Sequence, residues 1–279
     1  SHLKFVGTAT AGTNHVDKAY LAERGIPFQS AAGCNAVAVA EYVLSTLFVM
    51  AEKLGWQLKD KTVGIVGAGH VGSALQQKLT ALGIAYQLCD PPLQDAGDPR
   101  RFVDMDSIMQ CDVITLHVPL VTQGLYPTAN MFDAVRLAQL SVHQLLINAC
   151  RGEVLDNGAA LALFEQGKKL HLVLDVWENE PNINLALVPY VALGTAHIAG
   201  HTIEGKARGT AMLYEAVCDL YQLPAVKKLS DYLPVVQQSL QVKPELNAWQ
   251  NFQQLVLQVY NIASDSERFI ATVDNADQF

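Results

Sequence analysis

The sequence predicts an α/β fold built on a doubly wound parallel sheet. From Lys61 onward, apolar runs of strand length alternate with helical segments, a pattern typical of a parallel sheet covered by helices on both faces. The first of these runs ends in Gly67, which begins a G-x-G-x-x-G pattern completed by Gly69 and Gly72. With 279 residues, 50% of them hydrophobic, the chain is long enough for a large core and two domains.

The N-terminal part predicts two strands and two helices. Leu3–Ala9 and Pro27–Ala32 have the apolar character of buried strands, and the short helix Asp17–Arg24 between them is stopped by Gly25. Asn35–Lys53 is apolar on most faces, which predicts a long and deeply packed helix.

The segments that follow alternate in type. The predicted strands are Thr62–Gly67, Ala85–Cys89, Val113–His117, Gln144–Asn148, His171–Val176 and Val191–Gly194. The predicted helices are Val71–Leu82, Asp104–Gln110, Ala129–Leu140, Asn157–Gln166 and Ile203–Tyr221. In the Gln-rich tail, Trp249, Phe252, Val256 and Val259 share one helical face, which is more typical of a docking or dimer surface than of a ligand site.

The glycine pattern has the surroundings that a dinucleotide-binding turn requires. A helix follows it, and Asp90 ends the next apolar run. Gly67 permits the tight turn, Gly69 lets the backbone approach a pyrophosphate, and Gly72 allows close packing of a helix whose N-terminus attracts anions. Asp90 would accept hydrogen bonds from both ribose hydroxyls and repel a 2′-phosphate. We therefore expect a Rossmann-type domain that binds NAD rather than NADP.

Composition excludes several classes of partner. The formal net charge of −8 argues against binding to nucleic acid or to an anionic membrane. The most membrane-like run, Ala36–Ala51, is interrupted by Glu41 and is too short for a convincing span. Five cysteines lie scattered with no C-x-x-C pair, which predicts reduced, buried thiols and a cytoplasmic protein. The sequence indicates no metal site.

Three polar patches follow the last three predicted strands, at the sheet edge where ligands bind. The first contains Arg151, whose guanidinium can bind a carboxylate through two parallel hydrogen bonds. The second contains Asp175, within reach of the nicotinamide side of a cofactor, and Glu180. The third contains His197, a side chain suited to proton transfer near neutral pH. Each alone has a structural alternative: a surface arginine, a solvated acid or a structural histidine.

Taken together, the three patches match one reaction. Oxidation of an alcohol by NAD requires a base for the hydroxyl proton, an anchor for the charge of the substrate, and a group that holds the base in one tautomer. His197, Arg151 and Glu180 supply these roles, since a carboxylate beside a histidine raises its pKa and orients its ring.

These segments resemble the D-isomer specific 2-hydroxyacid dehydrogenase family over most of the chain, up to about Leu223. The similar segments are Gly67–Gly72, Leu116–Leu120, Asn148–Glu153, Leu174–Pro181 and His197–Gly200. Within the family, four segments are most similar to the branch that oxidises 4-phospho-D-erythronate in pyridoxal 5′-phosphate biosynthesis: Gly7–Thr13, Asn148–Gly152, Leu174–Trp177 and Glu204–Gly209.

The resemblance implies roles for particular residues. His197 would be the acid/base, Glu180 its partner and Arg151 the carboxylate anchor, while Thr10 and His201 would line the substrate site. The residues placed at NAD are Gly67, Gly69, His70, Val71, Gly72, Asp90, Val118, Ala149, Asp175 and Gly200. The implied substrate is a small phosphorylated 2-hydroxy acid and the implied assembly a homodimer. Two alternatives remain open: a relative acting on another acid such as 3-phosphoglycerate, and a non-catalytic NAD-binding regulator.

The resemblance also implies a domain organisation. Residues 1–36, rejoined by 200–222, would form a partial flavodoxin-like substrate domain that lacks the first strands of the family. Residues 37–199 would form the NAD-binding domain, and residues 223–279 a short C-terminal dimerisation region.

Overall fold

A computed structural model describes residues 2–236 and 239–276. The chain divides into two compact units, one formed by Ser1–Val39 with Gly200–Ser239 and the other by Ala40–Ala199 with Leu240–Phe279. Of the expected C-terminal region, residues 237, 238 and 277–279 lie outside the described residues. The roles assigned to the domains from the sequence stay predictions.

The strands and helices alternate along the chain much as expected. The strands are β1 (Val6–Thr8), β2 (Phe28–Ser30), β3 (Thr62–Val66), β4 (Ala85–Cys89), β5 (Val113–Leu116), β6 (Leu145–Asn148), β7 (His171–Leu174) and β8 (Leu193–Gly194). The α-helices are α1 (Lys18–Glu23), α2 (Ala36–Leu54), α3 (His70–Leu82), α4 (Pro91–Asp95), α5 (Met105–Ile108), α6 (Ala134–Gln139), α7 (Asn157–Glu165), α8 (Ile203–Leu220), α9 (Ala248–Val259) and α10 (Ile262–Ala276).

The larger unit is built around a parallel sheet of six strands in the order β4-β3-β5-β6-β7-β8. This confirms the predicted fold class. After β4 the chain crosses back over β3 to continue with β5, so the strand order reverses between β3 and β5. Ligands of open α/β sheets bind at the carboxyl ends of the strands beside such a reversal.

The core of this unit lies in the middle strands. Every residue of β5 and β6 is buried, including the polar Thr115 and Asn148. Because both faces of these strands are buried, their sequences are nearly continuous apolar runs rather than alternating ones. Burial of each large apolar side chain contributes roughly 1.5–3 kcal/mol.

The helix predicted over Ala129–Leu140 is wrong in its first half. Ala129 and Asn130 form a turn, and Phe132 pairs with Leu155 in an isolated β-bridge. Asp133 then caps the shorter helix α6 by accepting a hydrogen bond from the backbone N–H of Arg136. The backbone N–H groups of Asn130 and Phe132 instead donate to the carbonyls of Glu153 and Val154. Tertiary hydrogen bonds thus replace the helical ones that the apolar spacing suggested.

The predicted apolar stripe of the tail packs against this same chain. The rings of Trp249 and Phe252 on α9 lie 5.5 and 5.9 Å from that of Phe48 on α2, whereas Val259 is 75% exposed. Helix α10 was not predicted. It packs on β8, where the Ser266 hydroxyl accepts a hydrogen bond from the backbone N–H of Gly194 at 3.0 Å.

The smaller unit contains β1 and β2 paired in parallel, with α1 and α8 against them. Gly209 lets α8 approach β1, because a Cβ atom there would lie 2.5 Å from the carbonyl oxygen of Ala9. Across both units, the cysteines are buried and none forms a disulfide in the described residues. The helices described include none long and apolar enough to cross a membrane.

Candidate active site

The glycine turn joins β3 to α3 with very little space. Gly67 has a φ of +90°, in the left-handed region that favours glycine. A Cβ atom on Gly72 would overlap the carbonyl oxygen of Gly67, so the third glycine is needed for the helix to pack against the turn. Gly69 differs, because it caps α3 at a φ of −68° and open space lies where its side chain would be. The N-terminus of α3 therefore begins beside open space that an anion can enter.

A cavity of about 690 Å³ lies beside this turn, at the reversal of strand order. Gly67, Gly69, Asp90 and Val118, all predicted to contact NAD, line it together with mainly apolar side chains. Its volume is in the usual range for ligand sites. The open space beside Gly69 and the carboxylate of Asp90 in the cavity wall fit a dinucleotide.

Asp90 is held at the turn by two hydrogen bonds. Its carboxylate accepts from the backbone N–H of Ala68 at 2.8 Å and from that of Leu93 at 3.0 Å, so it also caps α4. Carboxylate oxygens have further lone pairs for ribose hydroxyls. The interaction with ribose stays a prediction.

Arg100 also contacts the turn, although nothing in the sequence predicts this contact. Its guanidinium donates to the carbonyl of Ala68 at 3.0 Å and to the Ser73 hydroxyl at 2.9 Å, while a two-point ion pair with Asp98 holds it in place. No motif surrounds Arg100, so only the fold could reveal this contact.

The other predicted cofactor residues of this unit surround the strand ends. His70 begins α3 and is exposed, Val71 is half-buried in the same turn, and Ala149 is half-buried after β6. Beside Val118, burial lowers the pKa of His117 to about 3, so this ring is neutral.

The ends of β6, β7 and β8 bring the three predicted catalytic residues together. His197 Nδ1 lies 2.7 Å from Glu180 Oε2, and the other oxygen of Glu180 accepts the backbone N–H of Trp177 at 2.8 Å. The side chain of His197 is 49% exposed and that of Glu180 is 31% exposed. The imidazole is thus fixed on one side and accessible.

Their pKa values move in opposite directions. The hydrogen bond to Glu180 raises the pKa of His197, although burial and the positive charge of Arg151 oppose the change. Burial raises the pKa of Glu180, but hydrogen bonds from His197 and Trp177 outweigh it and leave that pKa below its usual value. Arg151 contributes to both shifts, which places its charge near the pair.

The loop of Arg151 is shaped by a buried amide. Asn148, fully buried at the end of β6, donates from its side chain to the carbonyl of Arg151 at 2.9 Å and accepts from the backbone N–H of Cys150 at 3.2 Å. Gly152 then lies directly against the backbone of Trp177, where no side chain would fit. Burial raises the pKa of the Cys150 thiol to about 11, as expected for a packing residue.

Asp175 holds the loop of His197. It is 1% exposed and accepts hydrogen bonds from the Thr195 hydroxyl at 2.6 Å and from the backbone N–H groups of Ile198 and Ala199 at 2.7 and 2.9 Å. Burial raises its pKa, and these donors oppose the change. Asp175 therefore supports the backbone of the His197 loop, a role that the sequence alone does not indicate.

The remaining predicted residues belong to the smaller unit. Thr10 is exposed and its hydroxyl donates to the carbonyl of Gly12 at 2.8 Å. Gly200 lies against Asn35, whose amide would overlap a Cβ atom there. His201 is exposed, with its Nε2 2.7 Å from Nζ of Lys206.

Comparison with known proteins decides the family. Residues 36–199 match the family described as D-isomer specific 2-hydroxyacid dehydrogenase, NAD binding domain. This chain belongs to that family. The match confirms both the resemblance drawn from the sequence and the expected cofactor.

Members of the family with known names align over long stretches. An erythronate-4-phosphate dehydrogenase of Pseudoalteromonas atlantica is 66% identical over 279 residues, which are 100% of this chain and 75% of that protein. One of Psychromonas ingrahamii is 54% identical over 231 residues, 83% of this chain and 60% of that one. The crystal structure of an NAD-dependent formate dehydrogenase from Staphylococcus aureus in complex with NAD has a TM-score of 0.61 at 27% identity, covering 79% of this chain and 71% of its own.

Proposed function

We propose that this NAD-dependent oxidoreductase oxidises the 2-hydroxyl of 4-phospho-D-erythronate to (R)-3-hydroxy-2-oxo-4-phosphooxybutanoate, a step of pyridoxal 5′-phosphate biosynthesis. The observation that carries the reaction type is the 2.7 Å contact between His197 and Glu180, with the charge of Arg151 beside it. The relatives with the name erythronate-4-phosphate dehydrogenase support this substrate.

His197 acts as the base. Its Nδ1–H donates to Glu180, which leaves the lone pair of Nε2 to accept the proton of the substrate hydroxyl. The imidazolium that forms is stabilised by the adjacent carboxylate. For reduction of the 2-oxo acid, the same nitrogen returns the proton.

Arg151 positions the substrate. Its guanidinium can pair with the substrate carboxylate through two parallel hydrogen bonds, which orients the neighbouring hydroxyl-bearing carbon. Asn148 supports this role by fixing the loop from which the arginine extends.

The chemistry that NAD would supply when bound is a hydride acceptor for the carbon that carries the hydroxyl. The residues that would hold it are Gly67 and Gly69 at the pyrophosphate and Asp90 at the ribose, while Gly72 packs α3 against the turn. The open space at Gly69 and the adjoining cavity fit this group.

The test of this proposal is His197→Gln. Loss of the base is expected to abolish oxidation of 4-phospho-D-erythronate, while NADH still binds because the glycine turn is unchanged. Steady-state assays give the turnover, and the fluorescence of bound NADH gives the binding. Near wild-type turnover in this variant would reject the assignment.

A substrate panel separates the alternatives. The highest kcat/KM is expected for 4-phospho-D-erythronate, whereas a preference for 3-phosphoglycerate would assign another member of the family. A non-catalytic regulator would bind NADH without reducing any 2-oxo acid. The homodimer, the cytoplasmic location and the substrate contacts of Thr10 and His201 stay predictions.

A further inference from the structure

We propose that Thr195 is a positioning residue for His197, and that Tyr42 orients the Thr195 hydroxyl. Thr195 does not contact His197 through its side chain. It acts through Asp175, whose carboxylate holds the backbone of the histidine loop. This inference rests on the proposed function of His197 as the acid/base.

Three buried side chains form a directed chain of hydrogen bonds. The Thr195 hydroxyl donates its one hydrogen to Asp175 Oδ1 at 2.6 Å. The Tyr42 hydroxyl lies 2.7 Å from the same Thr195 oxygen, and must therefore be its donor. Tyr42, Thr195 and Asp175 are 2%, 0% and 1% exposed, so water does not replace any of these partners.

The carboxylate and the backbone carbonyl of Asp175 together hold the backbone of His197 and of the two residues after it. Asp175 accepts the backbone N–H groups of Ile198 and Ala199, the two residues after His197. The carbonyl of Asp175 accepts the backbone N–H of His197 itself at 2.7 Å. Asp175 thus controls where the loop lies relative to Glu180.

The histidine needs this support because its backbone is strained. His197 has a φ of +55°, a conformation that residues other than glycine adopt at a cost and keep only where the surroundings impose it. The indole N–H of Trp177 also donates to the carbonyl of Thr195 at 2.9 Å, which fixes the threonine from the other side. Without the Thr195 hydroxyl, Asp175 would be a buried carboxylate with one donor fewer, and the loop would shift to compensate.

The decisive substitution is Thr195→Val, which keeps the shape of the side chain and removes the hydroxyl. Because small displacements of a catalytic group are costly, we expect kcat to fall about 10- to 100-fold, with the KM for NAD changed little. Thr195→Ser keeps the hydroxyl and is expected to restore most of kcat. The matched control is Thr46→Val, since Thr46 is equally buried but its hydroxyl donates to the carbonyl of Tyr42 at 2.9 Å.

A second measurement does not require turnover. The charged groups that face His197 are Glu180, Asp175 and Arg151, and its pKa depends on the hydrogen bond to Glu180. An NMR titration of the imidazole, assigned with His197→Gln, is expected to show a lower pKa in Thr195→Val than in the wild type. Thr195→Ser and Thr46→Val should keep the wild-type value. A purely structural threonine would lower the melting temperature without moving this pKa.

Tyr42→Phe keeps the test decisive if Thr195→Val does not fold. It removes the donor to the Thr195 oxygen but leaves the hydrogen bond from Thr195 to Asp175, so a smaller decrease in kcat and in the pKa of His197 is expected. Unchanged kcat and unchanged titration in the folded variants would overturn the proposal. Absence of activity in the wild type would instead reject the proposed function, while the titration would still report whether Thr195 positions the imidazole.

Discussion

At the residue scale, the acid–base pair depends on where Glu180 lies. One of its oxygens accepts the backbone N–H of Trp177 and the other contacts His197. The carboxylate is therefore held on both sides before any substrate binds. This geometry raises the pKa of His197, which sets the pH at which the imidazole becomes a free base.

Glu180→Gln tests this dependence. Because the carboxylate raises the pKa of His197, its removal lowers that pKa, and the neutral imidazole persists to lower pH. The acid limb of the kcat profile for oxidation is therefore expected to shift to lower pH, while the plateau falls about 100-fold or more as the ring loses its orientation.

The control for this prediction is Glu178→Gln. Glu178 accepts the backbone N–H of Asn157 at 2.7 Å and does not contact the imidazole. Its replacement should therefore leave the acid limb of the kcat profile at the wild-type pH. An acid limb at the wild-type pH in Glu180→Gln would show that another group governs the profile.

The candidate catalytic residues could be predicted because each follows a strand of one parallel sheet. Arg151, Glu180 and His197 are far apart in sequence, but the carboxyl ends of adjacent strands converge. Thr195 and Arg100 could not be predicted in the same way. Threonine near a strand end and arginine in a loop are common, and their partners are fixed only by the fold.

At the scale of elements, the strand–turn–helix unit from β3 to α3 follows directly from its residues. The strand is buried and apolar, and the helix ends at Gly83, whose left-handed φ of +66° suits glycine. The segment before α6 was predicted less well, because its hydrogen bonds go to distant carbonyls.

Substitutions at two glycines of the turn are expected to affect thermal stability and NAD binding separately. Gly72→Ala is expected to lower the melting temperature, because its Cβ would overlap the carbonyl oxygen of Gly67. Gly69→Ala should leave the melting temperature nearly unchanged, since its φ of −68° and its open surroundings accept a methyl group. It should nevertheless weaken NAD binding, because the methyl group occupies the space that a pyrophosphate approaches.

Calorimetric unfolding and NADH titration of the two variants give these results. The roles assigned to the turn would be contradicted if Gly72→Ala melted at the wild-type temperature. They would also be contradicted if Gly69→Ala bound NADH as tightly as the wild type.

At the scale of the whole molecule, the chain forms two compact units, each assembled from separated stretches of sequence. The six-stranded sheet carries the glycine turn, the cavity and the three candidate catalytic residues within one unit. Cofactor binding should therefore stabilise this unit against unfolding.

The preference for NAD over NADP can be measured through the stabilisation of the folded state that each dinucleotide produces. NAD at a hundred times its Kd is expected to stabilise the folded state by about 2.7 kcal/mol. NADP at the same concentration should stabilise it less, because the carboxylate of Asp90 at the cavity repels a 2′-phosphate. Differential scanning calorimetry with each dinucleotide provides the comparison. Equal stabilisation would contradict the assignment of Asp90 as the residue that selects NAD.

The sequence by itself determined the parallel sheet, the glycine turn and the strand ends that carry Arg151, Glu180 and His197. These features depend on local patterns, namely apolar runs, glycine spacing and polar residues at fixed places after strands. Only the tertiary structure decided that Asp175 supports the histidine loop, that Thr195 donates to Asp175 and that Tyr42 contacts Thr195. Those contacts join residues as far as 153 positions apart, and their energies depend on burial, which no local pattern encodes.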